Sequence, residues 1–136
     1  MSYEIEYEER PNFLVATVTG DNNPETVAAY LREVLAECRR RFCVRLLIDE
    51  RLEGQRLPVD DVFELASEGA LNALGFFQAV AFVDPKMGDM AQFAETVALN
   101  RGMPIRAFAN VQDAENWLST QVEGTDEQKI FSDDPS

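Results

Sequence analysis

The chain has no histidine, two cysteines and a single tryptophan among its 136 residues. Without an imidazole, a serine or cysteine nucleophile lacks its ordinary activating base. Two thiols with no histidine cannot complete a structural zinc site, so Cys38 and Cys43 are read as reduced, mostly buried thiols. A glycine-rich phosphate loop is also missing, since Gly54 and Gly88 stand isolated. No apolar run reaches the roughly 20 residues that a membrane-spanning helix needs. The opening Met1-Ser2-Tyr3-Glu4-Ile5-Glu6 is acidic where a secretory leader would be basic, and a cytoplasmic location is the expectation. Positive charge is scarce, with 12 Lys and Arg against 25 Asp and Glu, a net charge of -13. Nucleic acid and anionic membranes are therefore not expected as partners. No residue set implies a cofactor or a resident metal.

What remains is the composition of an ordinary globular domain, 46% hydrophobic and 27% charged, in a chain long enough to bury a core. The charge is unevenly spread. Arg32, Arg39, Arg40, Arg41, Arg45, Arg51 and Arg56 fall in the middle, while the acids gather at both ends and in the segment after Pro58. Such segregation suits solubility, and it is also what a site for an anionic ligand would look like.

The chain is organised around Cys43-Val-Arg-Leu-Leu-Ile-Asp49, a short run of branched apolar residues that reads as a strand buried on both faces. Asp49 is expected to end it and to open a polar loop from Glu50 to Leu57 at the edge where such sheets bear ligands. Upstream, Tyr3 to Glu8 alternates apolar and acidic residues as a half-buried edge strand does. A turn at Arg10-Pro11-Asn12 joins it to a second strand, Phe13 to Thr19, in a hairpin. Asn23 caps a helix with Pro24 at its first position and an apolar stripe of Val27, Tyr30, Leu31, Val34, Leu35 and Cys38. A second helix starts at Pro58, with Val59, Val62, Phe63, Ala66, Ala70 and Ala73 or Leu74 inward, and Gly75 ends it. Phe76 to Val83 is a second buried strand, ending at Asp84-Pro85. A third helix covers about Asp89 to Arg101, and Pro104 to Ala109 is a last strand. Asn110 and Asp113 cap a final helix that buries Val111, Ala114, Trp117 and Leu118. Residues 1–119 thus form one domain, and 120–136 a polar, acidic tail expected to be disordered. The strands joined through helices should run parallel with right-handed crossovers, beside an antiparallel hairpin.

This order resembles the SpoIIAA-like proteins, the group that includes STAS domains and carries the label STAS/SEC14-like. The resemblance rests on Cys43-Val-Arg-Leu-Leu-Ile-Asp49 and on the closing Ile105-Arg-Ala-Phe-Ala-Asn-Val-Gln-Asp-Ala-Glu-Asn-Trp-Leu118, over roughly residues 3 to 119. It implies an α/β fold, a mixed β-sheet of N-terminal hairpin plus parallel βα units with helices packed mainly on one face, and a non-enzymatic role. STAS proteins of the anti-sigma-antagonist type carry a phosphorylatable serine after the central strand. The corresponding Glu50-Arg-Leu-Glu-Gly-Gln-Arg-Leu-Pro-Val-Asp-Asp61 has neither serine nor threonine, so a phosphorylation switch of that kind is not expected.

The candidate ligand-binding residues are Asp49, Arg51, Arg56, Asp84 and Lys86, at the ends of the two most buried strands. The expected function is a binding or protein-interaction module, with a protein partner or a small, anionic ligand gripped by the guanidinium forks of Arg51 and Arg56. Self-association into a homodimer fits the same reading. An alternative is a small enzyme in which Asp49 and Asp84 converge to hold Mg²⁺ or share a proton. A second alternative is a pocket for a lipid or another apolar molecule.

Overall fold

The computed structural model describes residues 3–86 and 88–131, with side chains as far as 121. Five strands and four helices follow in the order β1 (Tyr3–Glu9), β2 (Leu14–Asp21), α1 (Pro24–Arg41), β3 (Arg45–Glu53), α2 (Val59–Asn72), β4 (Ala79–Val83), α3 (Asp89–Asn100), β5 (Ile105–Phe108) and α4 (Val111–Phe131). The strands lie side by side in chain order. β1 pairs antiparallel with β2, and the remaining pairs are parallel. This is the α/β fold with a mixed sheet that the element order implied.

The sheet grows in one direction, so three successive right-handed crossovers place α1, α2 and α3 on the same face. Leu14, Ala16, Val18, Leu46, Ile48, Leu52 and Val80 line that face and meet Val27, Tyr30, Val34 and Cys38 of α1. The intervening positions point the other way, as the two-residue period of a strand requires. Phe13, Val15, Leu47, Ala79, Ala81 and Val83 form a second core, covered by Ala114 and Leu118 of α4. Helices therefore lie mainly on one face, and α4 alone crosses the other.

The local signals act as their chemistry dictates. Asn23 accepts the Thr26 N–H at 2.8 Å with Pro24 behind it, and Arg39, Arg40 and Arg41 fill the last turn of α1, where cations meet the negative end of the helix dipole. Phe42 ends α1 in the left-handed region at φ 55°. Asn110 caps α4, accepting the Asp113 N–H at 2.8 Å while its own amide donates to the Asp113 carboxylate.

Several expectations are corrected. β3 begins at Arg45 and does not end at Asp49. It runs on to Glu53, because β2 extends to Asp21 and offers backbone partners to Glu50, Arg51, Leu52 and Glu53. β4 starts only at Ala79; Phe76 and Phe77 belong to the turn after α2, stacked edge to face with ring centroids 5.0 Å apart. On the inward side of α2, Ala70 is buried and Val62 and Ala66 are half-buried, with Ala73 buried just past its end, while Val59, Phe63 and Leu74 are exposed. Phe63 instead lies under the Arg101 guanidinium, 5.1 Å from its ring centroid. α4 extends to Phe131, and of the tail expected over 120–136 the side chains from 122 onward and all of 132–136 lie outside the described residues.

A candidate ligand cavity beneath the second helix

The three helices on the crowded face do not rest on the sheet equally. α1 packs on β2 and α3 on β5, whereas α2 packs chiefly on α1 and α3. A helix propped on its neighbours leaves space beneath it. Several of the α2 and α3 residues facing that space, Ala66, Gly69, Ala70 and Ala94, are small and leave it unfilled. The result is a cavity of about 250 Å³. Its walls are apolar, with Leu46, Ile48 and Phe82 rising from the sheet, Leu31 and Leu35 from α1, and Leu65 from α2.

The cavity becomes polar where the parallel strands end. Beyond Ile48 the alternation of β3 continues, so Glu50 points to the same side and lines the cavity. Tyr30, which is fully buried in α1, donates its hydroxyl hydrogen to Glu50 Oε2. Asp84, just after β4, also lines the space, and its Oδ1 accepts the Lys86 N–H at 3.0 Å. Burial pushes the Glu50 carboxyl up to about 7; the Tyr30 hydroxyl counteracts this and the charge of Asp84 adds to it. Burial, followed by the charge of Glu50, lifts the Tyr30 phenol well above its ordinary range. A carboxyl taken out of water next to another carboxyl behaves in this way, because both effects penalise the ionised form. Arg56 and Lys86 sit at the rim, both exposed, with the Arg56 guanidinium beside Gly88 at the start of α3.

The five residues expected to form one site are divided between two faces. Asp49 follows Leu47 on the α4 side and is 3% exposed. Its Oδ2 accepts from Nε and Nη2 of Arg51 at 3.1 and 2.8 Å, since residues two apart on a strand share a face. Asp49 and Arg51 thus close on each other, away from the cavity. Arg56, Asp84 and Lys86 all line the cavity. Asp49 therefore does not converge with Asp84; Glu50 does. Neither Glu50 nor Tyr30 was singled out as a site residue. The alternation Leu46, Ile48, Glu50, Leu52 carries the signal for Glu50, and it is visible only if the strand extends beyond Asp49. Tyr30 is indistinguishable in sequence from any other member of the apolar stripe.

The β1 glutamates, Arg10 and the two cysteines have structural explanations. The glutamates of β1 alternate away from Ile5 and Tyr7, which pack toward α1. Arg10 bridges Glu8 at 3.2 Å and Glu115 at 3.0 Å, tying the hairpin to α4. Cys38 is buried and Cys43 partly so, both free, and burial raises the Cys38 thiol to about 12, which makes it unreactive.

No protein-family model matches the chain, and no curated protein matches it in sequence. Among solved structures it is similar to an uncharacterized protein of the DUF3478 family with a SpoIIAA-like fold from Shewanella loihica PV-4. The identity is 22%, the similarity covers 85% of this chain and 93% of that one, and the TM-score is 0.48.

Proposed function

We propose that the protein is a non-enzymatic binding module that takes a small amphipathic molecule into the cavity between its sheet and α1, α2 and α3. The apolar body of the ligand would lie against Leu46, Ile48 and Leu65, and its polar head would reach Glu50 and Asp84. The observation that carries this reading is the cavity itself, about 250 Å³ of mostly apolar space that ends in a few polar groups. Small-molecule sites generally have this make-up, and in open α/β sheets they lie at the carboxyl ends of the strands. The enzymatic alternative loses its constellation, because Asp49 and Asp84 occupy opposite faces. Among the described residues no third carboxylate or thiol joins the Glu50–Asp84 pair in a metal-ligating cluster.

Saturation-transfer NMR with octanol tests the reading. Octanol should receive magnetisation from the protein, and Ala94→Phe or Ala66→Leu, which fill the space, should abolish the transfer without lowering the melting temperature. An octanol signal that is absent in the wild type, or that persists in both filled variants, would refute it.

A further inference from the structure

The walls of the cavity say little about its ligand beyond apolarity, but the charges at its polar end are sorted by depth. Glu50 and Asp84 are partly buried and line the interior, whereas Arg56 and Lys86 stand in water at the rim. Of the other charged lining groups, Arg32 and Glu68 are exposed, and Glu95 is occupied with the Ala107 N–H at 3.3 Å. A head group carried in by an apolar body therefore meets carboxylates rather than cations. Three acceptors are open to it. Glu50 spends one carboxylate oxygen on Tyr30, Asp84 spends one on the Lys86 N–H, and the Tyr30 oxygen, having donated its hydrogen, keeps its lone pairs. An ammonium offers three N–H donors and no acceptor.

Resting on the reading of the cavity as a ligand site, we propose that its ligand is an amphipathic amine, a primary ammonium on an apolar body, held between Glu50, Asp84 and the Tyr30 hydroxyl. A cation there offsets the negative charge that Glu50 and Asp84 together bring to one end of the cavity. An anionic head would add a third negative group to the same low-dielectric corner, and a neutral head would leave the pair unrelieved.

The test compares octylamine, octanol and octanoate, three probes with the same tail, by calorimetric titration of the full chain at pH about 8, where Glu50 is ionised and the amine is protonated. Octylamine should bind at least about tenfold more tightly than octanol, with octanoate the weakest. Glu50→Gln/Asp84→Asn should remove the preference, bringing octylamine to the affinity of octanol in the same variant, and octanol binding that persists reports that the cavity is still formed. Arg56→Ala/Lys86→Ala should leave octylamine affinity intact. Octanol binding as tightly as octylamine, octanoate binding most tightly, or a preference that survives Glu50→Gln/Asp84→Asn would overturn the amine while sparing the cavity. If none of the three probes binds, the cavity reading fails and the amine with it.

Discussion

Glu50 is where a single side chain makes itself measurable in the stability of the whole protein. Its carboxyl rises from the ordinary 4.5 to about 7, chiefly through burial, so the folded state holds this proton more tightly than the unfolded chain does. The resulting stabilisation is complete below pH about 4.5, is lost as pH rises toward about 7, and stays lost above that. The loss amounts to roughly 3–4 kcal/mol at most for a shift of this size. Glu37 works in the opposite direction, drawn down to about 2 by hydrogen bonds from Arg40 and Arg41, so its contribution disappears only as pH falls below 4.5 toward 2. The two windows do not overlap. Urea unfolding between pH about 4.5 and 7 should therefore show a decline in stability that Glu50→Gln flattens; an unchanged slope would mean that Glu50 is hydrated. Tyr30→Phe removes the one group that lowers the Glu50 carboxyl, so the decline should extend to higher pH in that variant.

Two helices invite tests at the level of the element. In α2, Gly69 has a helical backbone, and a Cβ added there would lie 3.7 Å from Leu31 Cδ1, an ordinary contact. Gly69→Ala should accordingly stabilise the protein by about 0.5–1 kcal/mol through helix propensity, read as a higher urea midpoint at unchanged slope. A loss of stability would show that α2 needs to approach α1 more closely than this. In α4 the sequence placed Trp117 and Leu118 alike on the buried side, but Leu118 is fully buried while Trp117 is only partly so and leans on Phe108 at 5.7 Å between centroids. Leu118→Ala should cost about 2–5 kcal/mol, and Trp117→Ala less than the roughly 3–5 kcal/mol of a fully buried large aromatic. The reverse ranking in urea unfolding would restore the tryptophan to the core.

For the molecule as a whole, the second core ends with Ala114 and Leu118, although α4 runs on to Phe131. A chain ending at Gln121 should keep its melting temperature within about 4–8 °C of the full chain, the shift that roughly 1 kcal/mol produces in a domain near this size. A larger drop would show that the outer turns of α4 hold the fold. The element order, the hairpin, the parallel crossovers and the caps were legible in the sequence because each rests on interactions between residues close together in the chain: strand alternation in Tyr3 to Glu8, the Asn23-Pro24 cap, the Asn110–Asp113 pair. The scarcity of cations and the absence of histidine, both properties of composition, likewise narrow the chemistry. The end of β3 was not legible, since Glu50 to Glu53 remain a strand only because β2 lies alongside them. Which carboxylates share a site depended on that boundary, because one further residue along a strand reverses the face. Nor was the cavity, which arises because α2 rests on α1 and α3 over a floor it does not touch closely. Short-range pattern determined what the elements are. The packing of elements distant in sequence decided that Glu50, rather than Asp49, faces Asp84, and that an apolar cavity lies beside them.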